Sequence, residues 1–258
     1  MPDNPAEETV EIDWVYTPVD FFDGRIERNR EGYSVVIEGG HATARMSADF
    51  YKPGGDFQHE LAEELSSIFR IWQLDRRRVF EIRGPSVRRI HPDGTTDITI
   101  VVNGISCVSE VGTPNLIFTD ANGVVHDARR EHFEATKKLV ELKLRYASDP
   151  TAHRMLESHA ASIAYPGEEL VYLYEIWDAL KVKFEGRESA RSAVKISPDT
   201  LSRFDDLTCN LPLNQSRHRG RFDSLRDATT EELDEARKIA QLMMEGYWNC
   251  LDDQQRGK

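Results

Sequence analysis

The spacing of apolar residues changes at about residue 130, and this change restricts the fold more than any other feature of the sequence. Before it, apolar and polar residues mostly alternate, as in "HATARMS" at residues 41–47. After it, apolar residues recur every three or four positions, as in "LVYLYEIWDALKVKF" at residues 170–184. Alternation is typical of strands with one buried face, whereas a period of about 3.6 is typical of amphipathic helices. The sequence therefore predicts a β-rich domain over residues 9–130 and a helical domain over residues 131–252.

The β-rich domain carries three signals for tight hairpin turns. They are Gly39-Gly40, Pro92-Asp93-Gly94 and Asn122-Gly123, and each lies between runs of alternating residues. Between the first two hairpins, apolar residues fall at helical spacing, which predicts one helix over residues 57–74. We expect an antiparallel sheet with this helix packed on it.

The helical domain contains four or five segments with helical periodicity, joined by short connections. Ser197 before Pro198 is a typical helix start, because serine caps the first amides and proline lacks an amide that would need a partner. Thr229 and Glu232 have the spacing of a capping box at the start of the last helix. A bundle following a sheet gives an α+β fold class, in which Trp177 should lie in the bundle core.

Composition limits where the protein works and what its surface binds. Apolar residues make up 39% of the 258 residues, and the formal net charge is -12. A surface of that charge disfavours general binding of nucleic acid, so any such contact must be local. The acidic first residues contain no apolar run, and no stretch of about 18 apolar residues follows. We therefore expect a cytoplasmic protein that does not contact a membrane.

Residues 214–226 depart from this acidic balance, with four arginines against Asp223 and a formal net charge of +3. The segment precedes the capped start of the last helix, where amide groups and the helix dipole also favour an anion. One interpretation is a site for phosphate groups. The other is a surface on which the arginines pair with acids such as Asp205, Asp206 and Glu231. The candidate ligand contacts are Asn214, Arg217, His218, Arg219, Arg221 and Arg226.

Two carboxylates form a second candidate position. Glu175 and Asp178 lie three residues apart on one helix, where they could hold a metal or orient Arg217 and His218. The alternative is that they are solvated or pair with Lys181. The histidines and cysteines lack the spacing of a metal site, and no glycine-rich nucleotide motif occurs. The sequence thus predicts no metal and no cofactor.

The C-terminal half resembles the HEPN superfamily of small helical bundles, over roughly residues 132–251. The likeness rests on the order of four segments: "LVYLYEIWDALKVKF", "ISPDTLSRFDDLTCN", the loop "LNQSRHRG" and "TTEELDEARKIAQLMMEGYWNCL". It implies a homodimer formed through the bundle and a role in phage defence or stress response. Active members are metal-independent ribonucleases in which a histidine follows an arginine by several residues. Here His218 directly follows Arg217, so only this histidine and an adjacent arginine correspond to the motif.

Two functional hypotheses follow. The first is a non-enzymatic binding or sensor protein whose loop at residues 214–226 contacts RNA, a nucleotide or another phosphate-bearing ligand. The alternative is a metal-independent endoribonuclease in which His218 transfers a proton and Arg217 or Arg219 stabilises the phosphorane charge.

Overall fold

The computed structural model describes residues 8–52, 56–93, 95–100, 117–119 and 125–256. The chain divides into two compact units: the first comprises Met1–Ser66 and Phe80–Lys138, and the second comprises Ser67–Val79 and Leu139–Lys258. The predicted α+β class is confirmed, since an antiparallel sheet lies in the N-terminal part and six helices lie in the C-terminal part.

The first unit is built on a six-stranded antiparallel sheet. Its strands are β1 (Thr9–Thr17), β2 (Ile26–Arg30), β3 (Tyr33–Glu38), β4 (His41–Ser47), β5 (Glu81–Ile90) and β6 (Thr96–Ile100), in the order β2-β3-β4-β1-β5-β6. The predicted hairpin at Gly39-Gly40 joins β3 to β4, and both glycines have positive φ, as such a turn requires. The hairpin at Pro92-Asp93 joins β5 to β6, although Gly94 lies outside the described residues.

A separate two-stranded pair consists of β7 (Ile117–Thr119) and β8 (Val125–Asp127). The pair flanks the predicted turn at Asn122-Gly123, and those two turn residues are outside the described part of the chain. The helix expected at residues 57–74 is α1 (Phe57–Arg76), whose Leu61 and Leu65 are buried. The division between the units falls within α1, after Ser66.

The second unit is helical. It contains the C-terminal part of α1 and six further helices: α2 (Ala128–Leu144), which begins in the first unit, α3 (Pro150–Ala164), α4 (Glu169–Lys183), α5 (Arg187–Ala193), α6 (Pro198–Asp205) and α7 (Thr230–Arg256). No strand occurs within residues 135–250, a range that the structure describes throughout. Among the helices of the described ranges, none is both long enough and apolar enough to cross a lipid bilayer.

Local sequence signals explain where these helices begin. Ser197 Oγ accepts a hydrogen bond from the Thr200 amide at the start of α6, as predicted. At the start of α7, the Glu232 amide donates to Thr229 Oγ1 and the Thr229 amide donates to Glu232 Oε2. These two bonds confirm the predicted capping box. The apolar stripe of α4 forms the core of the unit, because Leu173 and Trp177 are fully buried.

One carboxylate is buried within the second unit. Glu169, at the first residue of α4, is only 3% exposed. It accepts hydrogen bonds from Arg237 Nε at 2.6 Å, from Arg237 Nη2 at 2.8 Å and from Arg77 Nη2 at 2.8 Å. The buried charge is thus neutralised by α7 and by the segment that follows α1, which explains how the unit tolerates it.

Candidate functional site

The basic loop, defined here as residues 214–226, is anchored at both ends. The Asn214 amide donates to the Arg226 carbonyl at 2.9 Å, and the Arg226 amide donates to the Pro212 carbonyl at 3.0 Å. Ser216 is fully buried, and its hydroxyl donates to the Leu213 carbonyl at 2.9 Å. The loop therefore presents its arginines from a fixed backbone, which lowers the entropy that a ligand must remove on binding.

Arg217 is held by two contacts with α4. Its guanidinium lies 4.4 Å from the ring centroid of Tyr174, and its Nη1 donates to Asp178 Oδ2 at 3.0 Å. Asp178 also pairs with Lys181, at 2.6 Å. Of the roles considered for Asp178, contacts with Arg217 and with Lys181 are both present. Glu175 instead accepts a hydrogen bond from Ser158, at 3.2 Å.

Arg219 lies beside a pair of aromatic residues. Its Nη2 donates to Glu168 Oε1 at 3.3 Å, and the other oxygen of Glu168 lies 3.5 Å from the hydroxyl of Tyr172. The ring of Tyr172 in turn lies 5.7 Å from that of Tyr165, at an interplanar angle of 35°. Tyr165 is 58% exposed, so the pair offers an aromatic surface next to the loop.

The sequence interpretation did not include Tyr165 in the site. The available signal was its position directly before Pro166-Gly167, since a proline-glycine pair marks an exposed turn. The sequence does not reveal that this turn lies near the basic loop, because the two are about 50 residues apart along the chain.

Arg226 and Asn214 bind the beginning of α7. The guanidinium of Arg226 makes two hydrogen bonds to Glu232, at 2.7 Å and 2.6 Å. These bonds hold the pKa of Glu232 at about 2, well below its ordinary value. Asn214 Nδ2 donates to Asp227 at 2.8 Å. Both side chains therefore stabilise the junction between the loop and the capping box.

Arg221 and His218 are the remaining candidate contacts of the loop. Arg221 is exposed, and its side chain makes no ion pair with any residue that the structure describes. Desolvation, followed by the charges of Arg221 and Arg217, lowers the pKa of His218 below its ordinary value. This shift favours the neutral imidazole, in which one ring nitrogen can accept a hydrogen bond or a proton.

The arginines thus divide into two groups. Arg217, Arg219 and Arg226 each donate to a carboxylate, as the surface ion-pair interpretation expects. Of these carboxylates, the sequence suggested Asp178 as a group that could orient Arg217, whereas Glu168 and Glu232 were not among the suggested partners. Of the acids suggested there, Asp205 pairs with Arg187 and Asp206 accepts from Asn210. Among the residues that the structure describes, Arg221 has no carboxylate partner.

A groove between α3 and α4 adjoins this surface. Its volume is 430 Å³. Asp178 lines the groove and also binds Arg217, so the groove and the basic loop share this residue. The remaining lining residues are Arg154, Glu157, Ser158, Ala161, Glu175, Ala179 and Val182. Within the described ranges, no group of three or more histidine, cysteine or acidic side chains is arranged to hold a metal ion.

Comparison with known proteins leaves the chain without an assigned relative. No protein-family model matches it, and neither the curated proteins nor the solved structures contain a significant match. The likeness to the HEPN superfamily therefore stays a prediction from the sequence.

Proposed function

We propose that the basic loop binds the phosphate groups of single-stranded RNA or of a nucleotide, and that the neighbouring tyrosines stack on a base. The observation that carries this proposal is the contact of one residue, Glu168, with both Arg219 and Tyr172. It places basic and aromatic groups side by side. Proteins that bind single strands combine these two elements, because arginine attracts phosphate and every base has a face that stacks on an aromatic ring.

Arg221 is the first phosphate contact in this proposal, since it has no carboxylate to displace among the described residues. Arg217 and Arg219 must exchange Asp178 and Glu168 for phosphate oxygens. That exchange costs little free energy, because the four side chains are between 34% and 49% exposed and ion pairs of this exposure contribute about 0–1 kcal/mol. A phosphate accepts bidentate bonds from arginine, which favours the bound state. Arg226 is not a phosphate contact in this proposal, because it makes two hydrogen bonds to Glu232.

The proposal extends to the setting of the site. We infer a HEPN-like bundle that forms a homodimer, acts in the bacterial cytoplasm and serves a defence or stress response through binding. Replacing Tyr165 by alanine tests the binding site itself. Loss of a base-stacking ring should weaken binding of a fluorescent oligouridine by about fivefold or more, measured by anisotropy. Binding of inorganic phosphate should not change, because phosphate has no ring to stack.

A control with the same chemistry is available on α6. Arg203 is 41% exposed and pairs with Glu235, and Arg219 is also 41% exposed and pairs with Glu168. Arg219→Ala should weaken RNA binding, whereas Arg203→Ala should leave it unchanged. Equal effects of the two substitutions would mean that only the overall charge matters and that the loop is not a site.

The ribonuclease alternative is favoured by the surroundings of His218, because desolvation and the charges of Arg221 and Arg217 lower its pKa and favour the neutral imidazole. A neutral imidazole can take the proton of a 2′-hydroxyl, while an arginine stabilises the charge on the phosphorane. His218→Ala separates the two functions. If the protein only binds, RNA remains intact with the parent protein and with the variant. If it cleaves, the parent degrades RNA in the presence of a chelator and the variant binds RNA without degrading it.

A further inference from the structure

The sheet of the first unit has one polar face built from three adjacent strands. Along β1, Val10, Ile12 and Trp14 are buried on one side, so Glu11 and Asp13 lie on the other. Register places Asp13 opposite Thr43 of β4 and Ser86 of β5. It places Glu11 opposite Arg45 of β4 and Arg88 of β5. The polar residues thus form two rows across the centre of the sheet.

Both carboxylates on this face are fixed by their neighbours. Asp13 accepts from Thr43 Oγ1 at 2.7 Å and lies 3.0 Å from His41 Nδ1. Glu11 accepts from Arg45 Nε at 2.9 Å and lies 3.5 Å from Arg88 Nη1. The side chain of Glu11 is only 11% exposed and that of Asp13 is 27% exposed. Carboxylates that are held by hydrogen bonds on central strands keep fixed positions, so a ligand does not have to order them on binding.

A pocket of 250 Å³ opens between these side chains. It is lined by Glu11, Asp13, His41, Thr43, Ser86 and Arg88. Several hydrogen-bonding groups in it are unused within the described chain. The Ser86 hydroxyl makes no hydrogen bond there, and His41 uses only Nδ1, which leaves Nε2. The guanidinium of Arg88, with a side chain that is 54% exposed, keeps donors beyond its single contact with Glu11.

We propose that this pocket binds a small neutral polyhydroxylated ligand, namely one sugar ring or the ribose of a nucleoside. The two carboxylates of the pocket are balanced by Arg88, which lines it, and by Arg45, which pairs with Glu11 from outside it, so the site has no charge surplus that would select an anion or a cation. Each hydroxyl of such a ligand both donates and accepts, as the mixture of Ser86, His41 and Arg88 requires. Carboxylates are also the groups that commonly bind ribose hydroxyls.

Size and shape agree with a single ring. Pockets for drug-sized ligands usually measure about 300–1,000 Å³, so a volume of 250 Å³ suits a smaller molecule. Val15 follows Asp13 on the same face, pairs in register with His41 and is 45% exposed. In this proposal it supplies an apolar contact for the C–H groups of a sugar, next to the polar side chains that line the pocket.

The test uses the full chain and three probes: D-glucose, D-ribose and adenosine, each followed by ligand-observed saturation-transfer NMR. The proposal expects transfer from at least one of them. Transfer from ribose and adenosine but not glucose identifies the ribose of a nucleoside, and transfer from glucose identifies a free sugar. Transfer from no probe overturns the proposal.

Matched serine variants locate the binding. Ser86→Ala removes one hydroxyl from the pocket and should weaken the affinity for the probe about five- to tenfold. Ser34→Ala makes the same change on β3, opposite Arg45 and outside the pocket, and should leave binding unchanged. Thr43→Val provides a second change inside the pocket if Ser86→Ala alters the thermal unfolding of the chain. Equal binding by the parent, the pocket variants and Ser34→Ala would overturn the assignment of this site.

Discussion

Replacing Glu169 by alanine should destabilise the second unit more than any exposed ion-pair substitution. The wild-type carboxylate is 3% exposed and accepts three hydrogen bonds from Arg77 and Arg237. Its removal leaves two cations without their shared counter-charge. Burial and the neighbouring charge of Arg237 already lower the pKa of Arg77, and Glu169 opposes that shift. The variant therefore keeps the repulsion between the arginines and loses the attraction that offsets it.

The magnitude follows from the exposure of the two arginines. Removing one partner of a buried ion pair costs about 3–5 kcal/mol. The side chains of Arg77 and Arg237 are 31% and 25% exposed, so water compensates part of the loss. Arg237 also keeps Asp234, at 2.6 Å. We therefore expect the lower end of the range, about 3 kcal/mol in the free energy of unfolding.

Urea unfolding followed by far-UV circular dichroism measures this change, because the signal reports on the helices of the second unit. Glu188→Ala is the control, since Glu188 is 73% exposed and pairs with Arg191, and its loss should cost about 0.5 kcal/mol or less. Glu169→Gln should fall between the two, because the amide keeps an acceptor but not the charge. If Glu169→Ala costs no more than Glu188→Ala, the ion cluster does not stabilise the unit as argued.

Three further predictions concern single residues of the second unit. Trp177→Ala should cost about 3–5 kcal/mol in urea unfolding, because the ring is fully buried, and a cost under about 1 kcal/mol would contradict its core position. Arg226 lowers the pKa of Glu232 to about 2 in the folded protein. The ionised carboxylate therefore stabilises the fold fully above the pKa that Glu232 has in the unfolded chain, and this stabilisation is lost as pH falls towards 2. Glu232→Gln should abolish that pH dependence of the unfolding free energy. Glu168→Gln should strengthen RNA binding about 1.5- to 5-fold by releasing Arg219, and weaker binding in anisotropy would oppose the proposed contact.

Local sequence signals predicted local structure well. The pair Gly39-Gly40 predicted a hairpin because its backbone needs positive φ, and Thr229 with Glu232 predicted a helix start because their spacing closes two hydrogen bonds. Such signals act between residues that are a few positions apart, so the local sequence is sufficient to determine the turn and the helix start.

Partners that are distant in sequence could not be predicted in the same way. The position of Asp178 on α4 suggested a contact with Arg217, 39 residues later, but left it beside the alternatives of a metal site and of a pair with Lys181. The same limit applies to Glu169. A glutamate in the first turn of a helix is usually exposed, and the sequence does not indicate that two arginines distant along the chain will cover it. The acidic partners of the loop depend on how helices pack, and single-sequence periodicity does not contain that information.

The salt dependence of RNA binding tests the central claim about the basic loop most directly. If Arg217, Arg219 and Arg221 each neutralise a phosphate, the logarithm of the affinity for oligouridine should fall with the logarithm of salt concentration by about 0.7 per contact. Replacing all three by alanine should therefore flatten the slope by about two, while Arg203→Ala leaves the parent slope. A parent protein that binds no RNA, or a triple variant with the parent slope, would contradict the account and identify the loop as a salt-bridged surface.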